Sequence, residues 1–243
     1  MRPDEALPRL RALGFDEADA VTLADHFLDA ERRGSLGHGL SRIEWLETLD
    51  GVEPSARPSR TVGEPGYERW RSNGALGYLV LAAIVEAQLA DPPGRARLVV
   101  ADAFPTGALG YWVRKLAAGG LVAALTATSP PRLASPDGGP KLAGTNPLAL
   151  AVPSSDGRPL VADVSMGKVT HGDVLRGAAR AEDLVPFGGE QAYKAFALAV
   201  GLQAVVDALA APESYGVVLL VARPEADPVP ALRAAGVRLP GDR

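Results

Sequence analysis

The chain contains no cysteine, only three histidines and two methionines, and few aromatic residues. Without thiols there is no disulfide, no thiolate nucleophile and no cysteine-ligated metal. The histidines, His26, His38 and His171, form no HxxxH or HxxE pair, so the spacing offers no transition-metal centre. Charge of one sign is scarce as well: 25 Lys and Arg stand against 29 Asp and Glu, and the arginines never gather into a run. That is not the electrostatic footprint of a nucleic-acid partner. The N-terminal MRPDEALPRLRALGF has no apolar signal region. The longest apolar run, residues 75–90, is broken by Glu86 and Gln88 and falls short of the roughly 20 residues that span a bilayer. A cytoplasmic protein with no membrane partner is expected, with a buried helix at 75–90.

What is present is apolar bulk, 47% of 243 residues, enough for a substantial core. Helical patterns run over about 4–12, 16–33 and 41–50, with Asp16 as the N-cap of the second. His26 stands beside Asp25 in that second helix and reads as a residue of its solvated face. Short β-rich runs occupy 97–102, 121–128, 147–152, 159–164 and 216–222, with helical patterns between several of them. The class is α/β. Pro- and Gly-rich stretches at 54–66, 129–146 and 223–230 read as loops, none of them an interdomain linker. A single domain over 1–243 is expected, helical in 1–55 and mixed in 56–243.

The segment GSLGHGLSRIEWLETLD (34–50) places His38 four residues before Arg42. Ser41 and Glu44 spell a capping box, which starts a helix at Ser41. Arg42 then sits in the first turn, where the helix dipole disfavours a cation. A small anion would suit the place: free N–H groups, the helix end and a guanidinium fork together make a carboxylate site, to which His38 can add a hydrogen bond. Spacing alone leaves open the plainer reading of a loop histidine and a surface arginine. In AGTNPLALAVP (143–153), Gly144 allows close approach, Thr145 and Asn146 offer donors and acceptors, and Pro147 fixes the start of a strand. An ordinary Asn-Pro turn before a core strand fits the same residues.

Taken together and in order, RGSLGHGLSR (33–42), SNGALG (72–77), GALGYW (107–112), AGTNP (143–147), DVSMGKVTHGDV (163–174), LVPFGGEQAYKAFAL (184–198) and RLPG (238–241) resemble the type 2 malate/L-lactate dehydrogenase family. That family also includes ureidoglycolate dehydrogenase, diketogulonate reductase and a reductase of cyclic 2-imino acids. The resemblance implies a non-Rossmann malate/L-lactate dehydrogenase-like fold with N-terminal helices, here with a reduced second lobe because family chains are longer. It implies an NAD(P)-dependent oxidoreductase acting on a small 2-hydroxy, 2-oxo or cyclic 2-imino acid, using NAD or NADP, and a homodimer. Arg42 would hold the substrate carboxylate and His38 orient it, while Gly144, Thr145, Asn146, Pro147, Gly188 and Gly189 would contact the cofactor.

The departures carry as much information. The family's serine before the histidine is Gly37 here, its tyrosine after the arginine is Leu46, and its GGxKG lysine is Gln191. Its acid/base histidine falls on Pro105 in ADAFPTGALGYW, and proline has no proton to transfer. Asp102, His171 and His38 are the candidate replacements. Two classes therefore stand: a working oxidoreductase with another proton donor, and a degenerate paralogue that binds a nucleotide or carboxylate without turnover.

Overall fold

The structure, a computed structural model, describes residues 1–210 and 214–242. Three helices, α1 (Ala6–Ala12), α2 (Glu17–Arg32) and α3 (Ser41–Leu46), precede a hairpin of β1 (Ser59–Glu64) and β2 (Tyr67–Arg71). There follow α4 (Gly77–Ala90), β3 (Ala96–Asp102), α5 (Leu109–Ala118), β4 (Val122–Ala127), the short strands β5 (Leu133–Ala134) and β6 (Lys141–Ala143), β7 (Leu148–Val152) and β8 (Leu160–Val164). The chain continues with α6 (His171–Leu175), α7 (Ala192–Ala210), β9 (Gly216–Ala222) and α8 (Val229–Ala234).

Seven strands form one sheet in the order β1-β2-β3-β9-β4-β7-β8, while β5 and β6 pair separately. Only β2–β3 is parallel; the other five neighbours in the large sheet run antiparallel. A doubly wound nucleotide fold needs a mostly parallel sheet, so this mixed architecture is of another kind. All five expected strands are present within a residue of their expected ends.

Alternation along the strands sorts the two faces. Val99, Ala101, Leu125, Ala149 and Leu219 share one core with α4, α5 and the N-terminal helices, including Leu10, Phe27 and Ile43. Val100 on the opposite face packs with Val206 and Ala210 of α7. With the turn before it, α7 is long and apolar enough to cross a membrane. It lies along the sheet instead, leaving Tyr193, Leu198 and Val205 exposed.

Several boundaries differ from the expectation. The stretch 54–66 contains β1, and β2 was not expected at all, because YERWR shows no apolar alternation. Its Glu68 is 1% exposed yet fully answered. It takes hydrogen bonds from Arg60, Trp70 and Gln88 at 2.9–3.0 Å, with Arg97 at 3.3 Å. Part of 129–146 is likewise the β5–β6 hairpin. The third helix stops at Leu46 rather than residue 50, and its cap is different too. Leu40 already has helical dihedrals, so Ser41 lies inside the helix, where a side-chain cap cannot form. Ser41 Oγ donates to the Leu36 carbonyl, and Glu44 reaches the N-terminal ammonium and Arg9 instead. By contrast Asp16 caps α2 as expected, accepting from Asp19 N–H at 2.9 Å.

The largest correction concerns His26. It is fully buried, with ring centroids of Tyr78, Tyr111 and Trp112 at 5.0, 4.9 and 5.3 Å. Its Nε2 accepts the Ala108 N–H at 3.1 Å, which leaves the proton on Nδ1. Gly107, at φ +70°, lies so close that a Cβ there would enter the rings of His26 and Tyr78. Gly77 is pressed in the same way against the backbone of Ala103, Phe104 and Pro105. Both glycines let the 103–108 connection lie flat on the aromatic cluster. Gly107→Ala is expected to cost about 1–3 kcal/mol beyond Gly120→Ala in urea unfolding, because overpacking adds to backbone strain. Gly120 has φ +84° and open space around it, so it reports the strain alone. Equal losses for the two variants would contradict this packing.

Candidate active site

A cleft of about 310 Å³ opens at the end of the sheet where β3 and β4 finish and β7 begins. One wall is the turn 34–38 with Arg42 and Trp45; another is the 104–109 connection; the far side is Asp163, His171 and Asp173. The first wall is built on close contacts. Gly39 lets the Glu31 carboxylate pass beneath it, and Glu31 accepts the Leu40 N–H at 2.8 Å. Gly37 meets Gly172 backbone to backbone, with Thr170 and Asp173 filling the space a larger side chain would need. The absence of a side chain at Gly37 therefore lets α6 come close. Thr170 and Asp173 form a reciprocal cap that presents His171 as the first residue of that helix.

Arg42 is the distinctive group. It is 8% exposed, its guanidinium lies 3.9 Å over the ring of Trp45, and Nε is buried without an acceptor. Among the described residues no carboxylate comes within ion-pairing distance of it. A desolvated guanidinium without a counter-ion is costly. The buried Tyr78 hydroxyl lies beside it.

The imidazoles do not add to this positive charge at neutral pH. Burial, and after it the charge of Arg42, lowers His38 to about 4. Burial followed by Arg132 and Arg42 lowers His171 to about 4. Asp163 is shifted the opposite way. Desolvation raises its carboxyl, opposed by the Gly110 N–H at 2.7 Å and by Arg114. Asp163 was not singled out in the sequence; its only signal there was its place in the DVSMGK stretch. The cleft thus pairs an anion-seeking cation with neutral imidazoles and a carboxyl that holds its proton to higher pH than usual.

The structure brings together His38, Arg42, Thr145 and Pro147 of the expected residues, along with Pro105. It separates the rest. Gly188 and Gly189 line a second cavity of about 760 Å³ with Arg132, Lys141 and Lys168. Arg132 lines both. Gly144 and Asn146 line neither. The close approach that Gly144 allows is to Ser129 of its own chain. Asn146 is fully buried and donates to the Ala199 carbonyl and Gln203 Oε1, both at 2.9 Å, tying the turn to α7. Asp102 is also outside the cleft, where it accepts from Ser72. Leu46 belongs to the core, and exposed Gln191 accepts from Lys194.

Of the comparisons with known proteins, a family profile described as malate/L-lactate dehydrogenase matches residues 6–189. The chain belongs to that family. It is 32% identical over 187 residues to (2R)-3-sulfolactate dehydrogenase (NADP(+)) of Chromohalobacter salexigens, covering 75% of this chain and 56% of the relative. It is 34% identical over 181 residues to the Δ1-pyrroline-2-carboxylate/Δ1-piperideine-2-carboxylate reductase of Pseudomonas putida, covering 72% and 52%. The chain thus spans little more than half the length of these relatives. Among solved structures, a dehydrogenase from Sinorhizobium meliloti superposes with TM-score 0.84 at 24% identity, over 100% of this chain and 89% of that one. Δ1-piperideine-2-carboxylate reductase from Pseudomonas syringae superposes with TM-score 0.82 at 23% identity, over 99% and 89%. These two share the fold.

The buried histidine has a measurable consequence. Burial lowers His26 to about 3, against 6.5 in an unfolded chain. Between those values the unfolded state binds the extra proton, so stability falls as pH is lowered from 6.5, by up to about 1.4 kcal/mol per pH unit from this group. His26→Leu leaves the Ala108 N–H without its acceptor and is expected to be less stable at pH 8, by about 1–3 kcal/mol. The gap should narrow below pH 6.5 and close or reverse by about pH 4 in urea titrations, at about 1.4 kcal/mol per unit; parallel curves would contradict a neutral buried His26.

Proposed function

We propose that the chain is an NAD(P)-dependent oxidoreductase acting on a small 2-hydroxy or 2-oxo acid or a cyclic 2-imino acid. The observation that carries this reading is Arg42, a buried guanidinium with no counter-ion at the wall of a substrate-sized cleft. A planar carboxylate matches its fork and would remove the cost of the uncompensated charge. His38, neutral at working pH and lining the same cleft, would donate a hydrogen bond to that carboxylate. The names of the two relatives, a sulfolactate dehydrogenase and a reductase of cyclic imino acids, support both substrate classes.

The second cavity fits a dinucleotide in the chemistry of its donors. Lys141 and Lys168 line it together with Gly188 and Gly189, which stand at φ +110° and +57°. Such positions leave backbone N–H groups open to phosphate oxygens. Thr145 and Pro147 stand on the cleft's side of this reading, and the nicotinamide, when bound, supplies or accepts the hydride. The reading includes a homodimer, supported by the apolar side chains that α7 leaves exposed.

A 2-oxo acid also needs a proton at its carbonyl oxygen. Pro105 stands in the cleft wall and has none to give, and the two imidazoles are deprotonated at neutral pH. Asp163, whose carboxyl desolvation shifts upward, is the donor this reading assigns. A protonated cyclic imine needs no such donor.

Arg42→Ala is expected to weaken binding of a 2-oxo acid by about 2–5 kcal/mol, with little recovered by Arg42→Lys. Asp163→Asn should slow reduction of 2-oxo acids by about 10²–10⁴-fold while sparing cyclic imino acids. In the wild type, 2-oxo acid reduction should fall as pH rises through the Asp163 pKa. An NAD(P)H oxidation assay across both substrate classes checks these outcomes. No turnover, with no change in NAD(P)H fluorescence on mixing, would remove the oxidoreductase reading and leave the non-catalytic binding protein.

A further inference from the structure

We propose that Arg132 is a specificity-determining residue that selects substrates bearing a second anionic group, a carboxylate or sulfonate, over 2-hydroxy acids and cyclic imino acids with one. The inference rests on the proposed function and narrows its substrate.

Arg132 is held firmly at its backbone. It precedes β5, its N–H donates to the Ala143 carbonyl at 2.8 Å, and the next residue, Leu133, is wholly buried. Its guanidinium is partly buried at the junction of the two cavities. Among the described residues it has no ion pair and no side-chain hydrogen bond. Of the acidic groups that line the two cavities, Asp163 accepts the Gly110 N–H, Asp173 is bonded to Thr170 and Arg176, and Glu182 pairs with Arg180. Arg132 and Arg42 lie close enough that the charge of Arg42 lowers the pKa of Arg132, after desolvation, and both depress His171.

The cleft therefore holds two guanidinium groups that repel one another, with a neutral imidazole subject to both. A ligand with a single carboxylate answers one of them. A ligand carrying a carboxylate at one end and a carboxylate or sulfonate at the other answers both, and relieves the repulsion across the cleft. Lactate and the cyclic 2-imino acids have one such group; malate and 3-sulfolactate have two.

Calorimetric titration of the full chain with malate, 3-sulfolactate and lactate, alone and with NADP⁺ present, tests the assignment. The wild type should bind at least one of the two dianions about tenfold more tightly than lactate, equivalent to about 1.4 kcal/mol. Arg132→Gln should erase that preference and leave lactate within about twofold, while Arg132→Lys retains part of it. Preference for malate or for 3-sulfolactate then distinguishes a second carboxylate from a sulfonate. A wild type with no preference, an Arg132→Gln variant that weakens all ligands equally, or one that weakens NADP⁺ alone would overturn the proposal, as would the absence of any binding. Selective binding of a dianion by a chain that never oxidises or reduces it would retain Arg132 as the selector and remove the dehydrogenase reading.

Discussion

The guanidinium of Arg42 is largely buried, with no carboxylate among the described residues to neutralise it, and much of the surrounding structure serves to keep it there. Left free, such a group would swing into water. It is kept in the cleft wall by the ring of Trp45 one helical turn away, by α3 behind it, and by the Glu31 carboxylate that satisfies the Leu40 amide at the start of that helix. The glycines at 37 and 39 make this possible by removing the side chains that would hold α2 and α6 away. The positive charge is thereby stored in the fold and available to an anion.

The opposite wall has a different basis. There the 103–108 connection rests on a cluster of aromatic rings centred on His26, and an uncharged imidazole provides the acceptor for the Ala108 amide. Gly77 and Gly107 permit the contact. One wall of the cleft is thus fixed by electrostatics around a cation and the other by apolar packing around a histidine that burial keeps neutral. Both are connected to the main core, to which α2 contributes Leu23 and Phe27 and α4 contributes Tyr78 and Leu81.

Much of this was legible from residue patterns. The strands of continuous apolar character at 97–102 and 216–222 could hardly be read otherwise, and Asp16 announced the start of α2. The antiparallel order of the sheet was not legible, since pairing is set by tertiary contacts that no local window contains. Strand β2 was hidden because its inward position is Glu68, a charge made tolerable only by partners distant in sequence. The neighbouring Asp25 makes His26 look solvated, yet it falls three residues after Leu23 and four before Ala30, on the buried stripe of the helix. Within the site, His38 and Arg42 of the HGLSR segment line one cleft. Asn146 and Gly144 line neither cavity and are engaged within the chain, because polar and glycine residues in a turn serve internal packing as readily as ligands. Asp163 and Arg132 stood out little in the sequence, for what distinguishes them is where the fold sets them, both lining the cleft and Arg132 without an ion pair among the described residues.

At neutral pH the cleft's histidines carry no charge, so its attraction for an anion comes from arginine. The most direct measurement follows the Arg42 Nε–H resonance by NMR, assigned by its loss in Arg42→Lys, while a 2-hydroxy or 2-oxo acid is added. The account predicts a saturable shift of that resonance and slower exchange of its proton with water, with the same midpoint at pH 6 and pH 8. A resonance that stays fixed while others move would place the ligand elsewhere and contradict an anion site built on Arg42.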